Sequence, residues 1–257
     1  MKHTRGMQNP PPPTPFTWRH GVLLLLALVP LVALSIVHPI AQNPHYHDFA
    51  DRRAWLGIPN FADVASNLPF LFVGLAGLYQ GWKGRLAGYS ITWACFFSGV
   101  TLVSAGSSYY HWHPANSTLV WDRLPMTVGF MAMFTALLGE FVDTRLRRCL
   151  LLALAVGIAS VIYWQKFDDL RFYAWIQFTP LLIIPAMLAL FSNHYTHKSL
   201  LLVALAFYLM AKVLEAGDRL IFDLTSHIIA GHAIKHLLAA GGCFCILEML
   251  RRRKETP

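Results

Sequence analysis

Long apolar stretches separated by short polar ones run along the chain from residue 21 to residue 250. The stretches fall at about 21–38, 61–82, 88–110, 123–141, 149–165, 173–191, 199–216 and 229–250. At about 1.5 Å per helical residue each can cross a hydrocarbon core of roughly 30 Å. The pattern predicts an all-α integral membrane protein, a bundle of eight transmembrane helices. Glycine and proline inside several of the runs do not disturb that reading, because membrane helices tolerate both. Residues 1–20 are polar and basic, with a proline run from Pro10 to Pro13, and are expected to form a disordered cytoplasmic arm. The first apolar run has the basic start of a signal peptide and the stretch Leu23-Leu24-Leu25-Leu26. No clear small-x-small cleavage site follows it, so it is expected to remain as a helix.

Composition supports the membrane reading. The chain of 257 residues is 56% hydrophobic and 13% charged, against about 25% charged for a soluble domain. No long polar linker divides it, so one domain is expected. The net charge of +8 suggests nucleic acid only until the cations are placed. Lys2, Arg5, Arg19, Lys83, Arg85, Arg145, Arg147, Arg148, Lys198 and Arg251 to Lys254 fall in alternate connections, all on one side of an eight-helix bundle. The opposite connections hold only Arg52, Arg53, Arg123, Lys166, Arg171 and Arg219. The positive-inside rule then puts both termini in the cytoplasm, which suits a bacterial inner membrane. The charge is a topology signal, and no nucleic-acid partner is expected. The four cysteines lie in or beside apolar runs and read as packing residues.

The acids and histidines collect on the other side. His232 and His236 are four residues apart at the start of the last run, so they share a helix face. Ser107 and His111 have the same spacing at the end of the third run. Asp122 is read as opening the fourth helix after a short connection bearing Pro114. A connection that short makes the third and fourth helices antiparallel neighbours, with Asp122 level with His111. Three histidines, one aspartate and one serine can therefore meet in one layer. Ionisable residues at membrane depth are costly and mark function. Three imidazoles leave a zinc ion one open position, as in catalytic sites, and zinc lowers the pKa of its water to about 7. Asp122 would hold or deprotonate that water and Ser107 would support it or a developing oxyanion.

The order Ser107-x-x-x-His111, Asp122-Arg123-Leu124-Pro125-Met126, His232-x-x-x-His236 resembles the alkaline ceramidase family, and more broadly the superfamily joining those enzymes to the adiponectin and progestin receptors. The segment Asn60 to Phe70 resembles the family's first core-helix motif, and Asp218 in Glu215-Ala216-Gly217-Asp218 an acidic position of its penultimate helix. The likeness runs from about residue 51 to 250. It implies a seven-helix domain around zinc, here with an extra N-terminal helix at 21–38. It also implies His111, His232 and His236 as ligands, Ser107 and Asp122 beside them, and a membrane lipid as substrate. The implied activity is hydrolysis of ceramide, or a related N-acyl lipid, to a sphingoid base or amine and a fatty acid. The acidic segment that supports calcium (Ca2+) binding in eukaryotic members is not recognisable. Asp48, Asp51 and Trp55 echo it only loosely, so calcium is not carried over with the zinc.

Asn60, Asp63, Asn67 and Phe70 share a helix face that should look inward. Interhelical hydrogen bonding explains them, and Asp63, Asn67 and Asp218 are also candidates to support the ligands. An ion pair between Glu215 and Arg219 is equally compatible with their spacing. Trp164, like Trp18, Trp55, Trp112 and Trp121, lies near a run's end and is expected at the membrane interface. Two other functions stay open: a receptor-like or scaffold protein with structural zinc, and a transporter with a histidine–carboxylate relay. The second would need polar residues through the whole membrane depth, whereas here they gather at one face.

Overall fold

A computed structural model of the chain describes residues 15–255. Residues 1–14 of the expected arm, with Pro10 to Pro13, lie outside the described residues. The elements are α1 (Trp18–Ile36), α2 (Phe61–Ala65), α3 (Leu68–Trp82), α4 (Ile91–Trp112), α5 (Asn116–Phe141), α6 (Leu150–Phe167), α7 (Arg171–Leu190), α8 (Ser199–Ala216), α9 (Asp218–Leu224) and α10 (Gly231–Arg252), with 3-10 turns at Pro44–His47 and Thr144–Cys149. Among the described residues eight spans are long and apolar enough to cross a membrane, α2 and α3 together making one of them. The protein is an all-α, multi-pass membrane bundle. Leu25, Phe72, Leu102, Leu151, Leu202 and Val213 point outward, uncovered by protein, a surface that lipid rather than water can cover.

Four local expectations are corrected. Trp18, Arg19 and His20 belong to α1 rather than to an arm. The Thr17 backbone N–H donates to His20 Nδ1 at 3.0 Å, which closes the first turn early. The second span breaks at Ser66 and Asn67, just ahead of Pro69, which has no backbone N–H to continue the ladder. The helix α5 starts at Asn116, so Asp122 lies in its second turn rather than at its opening. The Thr118 hydroxyl explains this start, accepting from Ala115 N at 3.1 Å and donating to His113 O at 2.5 Å. Its polar first turn, Asn116-Ser117-Thr118, hides the helix from an apolar pattern. The short helix α9 sits in what reads as a loop.

The helix α1 is peripheral. It leans on α7 and buries only Leu23. Trp175 Nε1 donates to Ala27 O at 2.8 Å, and Arg171 Nη1 donates to Val37 O at 2.6 Å, just past the end of α1. Helix C-termini leave carbonyls unpaired and favour a nearby cation. Asp169 holds that guanidinium with contacts of 2.7–3.0 Å. The Arg171 hydrogen bonds pull the Asp169 carboxyl down to about 2. A depressed carboxylate stabilises the fold above its unfolded pKa of about 3.9, and the contribution fades as pH falls toward 2. Asp169→Asn is therefore expected to cost about 1–2 kcal/mol near neutral pH. The gap to the parent protein should close between pH 4 and 2 in thermal unfolding of detergent-solubilised protein. A gap that stays constant with pH would show that the charge plays no part.

Two glycines set the geometry that matters for function. A Cβ at Gly106 would collide with the Trp121 carbonyl, so the glycine lets α4 and α5 touch backbone to backbone one residue before Ser107 and one before Asp122. A Cβ at Gly231 would collide with the Leu214 carbonyl, so α10 begins hard against the end of α8. The residue that follows is His232.

Candidate metal centre

His111 ends α4 and is supplied by the same tight α4–α5 hairpin that carries Asp122. His232 and His236 occupy the first two turns of α10. Their ring centroids lie 4.8 Å (His111 to His232), 4.8 Å (His111 to His236) and 5.0 Å (His232 to His236) apart. All three are buried, and one nitrogen of each lies within 4.8 Å of the others. Three such imidazoles could hold a metal ion. Both ring nitrogens of His111 are buried with no hydrogen-bond partner in the protein. A buried imidazole left in that state is costly, and a metal bond would satisfy one of its nitrogens. The residues present therefore fit a metal.

The surroundings orient the rings. His236 Nδ1 meets the Ser66 hydroxyl at 2.8 Å, leaving Nε2 as its ligand atom. Lys235 Nζ lies 3.1 Å from His232 Nε2, so while that contact stands Nδ1 is the ligand atom of His232. Asp218 works through backbone: its two oxygens accept from His232 N at 2.7 Å and Ala50 N at 2.9 Å. It thereby caps the first turn of α10 and ties the 37–60 connection over the site. Asp63 is fully buried and neither of its carboxylate oxygens has a partner, and the same holds for Asn67 Oδ1. The Asp63 and Asn67 side chains thus keep acceptors free within the buried layer. Asn60, Asp63, Asn67 and Phe70 are all buried, although Asn60 precedes α2 in a left-handed conformation with φ 47°. Ser107 lies beside the Asp122 carboxylate.

Several neighbours are not legible in the sequence pattern. Phe49 packs its ring 4.7 Å from His111 and 4.9 Å from His232, closing the site from the connection side. Nothing but its apolar character, in a polar stretch, marks it. Lys235 stands between the two histidines of α10 and pairs with Glu215 at 2.7 Å. An ammonium inside an apolar run was the available signal. Glu215 takes Lys212 as its second partner at 2.6 Å, whereas Arg219 donates to Asp48 O at 3.4 Å. The Glu215–Arg219 ion pair is thus corrected: the buried carboxylate takes Lys212 from one turn earlier on α8 and Lys235 from α10 instead. Arg123, counted among the connection cations, lies inside α5 and is buried. Trp164 is buried at 1% exposure under that guanidinium, not at an interface.

A cavity of about 170 Å³ opens from this layer. Asn67, Ser107, Asp122, Lys235 and His236 line its polar end, and Phe96, Val100, Leu137, Ile184, Leu201 and Ile246 are among its apolar walls. From His236 to Ile246 along α10 is ten residues, a depth of roughly 15 Å. Among known proteins, no family model matches the chain and no curated protein matches it significantly.

Proposed function

We propose that the protein is a zinc-dependent membrane hydrolase that cleaves the amide bond of ceramide or a related N-acyl lipid, releasing a fatty acid and a sphingoid base or amine. One observation carries the reading: His236, one of three clustered buried histidines, lines the same apolar chamber as Ser107 and Asp122, and that chamber is deep enough for a substantial part of an acyl chain. A zinc ion used only to lock helices together has no need of that chamber. His111, His232 and His236 would hold the zinc. Bound there, zinc would polarise an amide carbonyl and acidify water as a Lewis acid.

The chain's own groups divide the remaining work. The apolar walls bury the acyl chain and bring its carbonyl to the polar end. Asp122 takes a proton from water at its carboxylate and returns it to the amide nitrogen as the C–N bond breaks, while water oxygen bonds to the acyl carbon. Ser107 hydrogen-bonds beside that carboxylate and supports the oxyanion. Phe49 and the connection tied to Asp218 exclude bulk water. The basic residues at the opposite end of the bundle support a cytoplasmic placement of that end, with the histidine layer on the outer side.

The test is hydrolysis by purified, metal-analysed protein on ceramides and other N-acyl lipids. Zinc at about one equivalent with fatty-acid release is expected; metal-free protein with no release from any amide overturns the reading. Asp122→Asn should retain the metal yet lose about 10²–10⁴-fold in kcat. Unchanged kcat in that variant would remove Asp122 from the proton transfer.

A further inference from the structure

The apolar chamber has a neighbour. A second cavity, of about 80 Å³, lies between α5, α7, α8 and α10, and it shares Asp122, Met126, Tyr208, Lys235 and Ala239 with the first. The space therefore forks at the catalytic layer. A lipid amide seated at the fork places its acyl chain in the apolar arm. What is attached to its nitrogen then enters the other arm, which is polar.

The charges of that arm do not cancel. Arg123, Lys212 and Lys235 line it against two carboxylates, Asp122 and Glu215. Glu215 is already matched, by Lys212 at 2.6 Å and Lys235 at 2.7 Å. Arg123 makes no ion pair within 4.0 Å among the described residues. Its guanidinium carbon sits 3.9 Å from the Trp164 ring centroid and 4.7 Å from that of Tyr173. One nitrogen, Nη2, donates to Gln42 Oε1 at 2.7 Å. The other, Nη1, is buried with no hydrogen-bond partner. The residue is 6% exposed. Aromatic faces offset part of the cost of burying a cation, but a guanidinium without an anion remains incompletely paired. Its planar fork matches a carboxylate or phosphate, bidentate where both nitrogens are free to donate.

We propose that this polar arm receives an acidic headgroup, so that the preferred substrate is an anionic N-acyl lipid whose amine portion carries a carboxylate or phosphate. The proposal rests on the hydrolase reading for the bond that is cleaved, and on Arg123 for the group that is recognised. The excess of one positive charge is balanced by one incoming monoanion. The hydroxyl headgroup of a neutral ceramide leaves it unbalanced.

Full-length, zinc-loaded protein is to be given N-oleoylglycine, uncharged N-oleoylethanolamine, ceramide and an N-acyl phosphatidylethanolamine, with fatty-acid release and equilibrium binding both measured. A kcat/KM at least about tenfold higher for an acidic substrate than for N-oleoylethanolamine is expected, corresponding to about 1.4 kcal/mol. Which acidic substrate wins, glycine conjugate or phospholipid, distinguishes carboxylate from phosphodiester. Arg123→Gln should erase the preference, bringing kcat/KM for the acidic substrate to within about threefold of that for the neutral amide measured on the same variant. Lys212→Gln, at the half-exposed rim, should lower the preference by removing one positive charge from the arm while Arg123 and the Lys235–Glu215 pair stay in place. Equal turnover of acidic and neutral amides, or variants that weaken both alike, overturns the headgroup proposal and leaves the hydrolase reading standing. If no amide is cleaved but N-oleoylglycine binds at least tenfold more tightly than the ethanolamide in an Arg123-dependent way, the headgroup site stands and the hydrolase reading falls. No cleavage and no binding preference overturns both.

Discussion

Replacing His232 with alanine is expected to strip the metal from the purified protein and to reduce amide hydrolysis by more than about 100-fold. That figure is a floor, since loss of a residue that merely supports a ligand already costs 10–100-fold. The position is unforgiving for two reasons. The three imidazoles have no spare protein ligand to replace one of them: among the described residues they form the one group of histidine, cysteine and acidic side chains arranged to hold a metal. The backbone at this position is also fixed, because His232 N donates to Asp218 and Gly231 seats the turn against α8. Metal content by plasma emission and fatty-acid release should fall together. An alanine variant that binds a full equivalent of zinc, or that keeps its rate, would sink the assignment of His232 as a ligand. The bundle should still assemble, because its spans depend on packing far from this layer; intact secondary structure by circular dichroism is the accompanying control.

Removing Arg253 should produce the largest loss of stability, at the other end of the molecule. Arg253 and Glu140 are a pair with each side chain only 1% exposed, at 2.7 Å. Arg253 also donates to the Ala87 carbonyl at 2.7 and 2.9 Å and lies 4.1 Å from the Tyr195 ring centroid. Glu140 accepts from Trp93 Nε1 at 2.8 Å. One guanidinium therefore joins the end of α10 to α5, to the connection after α3 and to the α7–α8 connection. Breaking such a buried pair costs about 3–5 kcal/mol, because the surviving charge is left without its partner. Arg253→Met should lower the unfolding temperature sharply in detergent, and adding Glu140→Gln should restore part of it by removing the stranded carboxylate. If the double variant is no more stable than Arg253→Met alone, the stranded charge is not the source of the loss. Activity of any Arg253→Met protein that remains folded should be close to that of the parent, since the pair stands at the opposite end from the histidines.

These two predictions separate what the chain declares locally from what it does not. The spans were legible because a bilayer demands length and apolarity, and both are written residue by residue. The histidines were legible because polar residues in such runs are costly and a spacing of four sets two of them on one face. The short connection made α4 and α5 antiparallel neighbours as expected, but because α5 starts at Asn116 the contact of Gly106 with Trp121 sets Asp122 beside Ser107, about one turn deeper than His111. Helix starts were less legible: α5 begins in a polar turn, and Thr17 and Thr118 extend or open helices through side-chain contacts that an apolar pattern does not weigh.

The partners of the charged residues depended on tertiary structure. Arg123 reads as a connection cation until Trp164 and Tyr173, from α6 and α7, enclose it. Glu215 has a suitable cation four residues along the chain and takes two others instead, one of them from α10. Phe49 carries no periodic signal, yet its ring closes the site against two of the three histidines. Apart from the Lys212 contact of Glu215, which lies within α8, the deciding contacts join different segments of the chain, and their energies depend on burial that only packing creates. An all-α membrane bundle, and two pairs of polar residues spaced four apart at its less basic side, can be read from the chain alone. Only the packed bundle shows which ring nitrogens remain free, that an apolar chamber reaches His236, Ser107 and Asp122, and that a second arm holds a guanidinium with an unpaired nitrogen. Periodicity reports how one helix meets its surroundings, whereas a cavity is the space several helices leave between them.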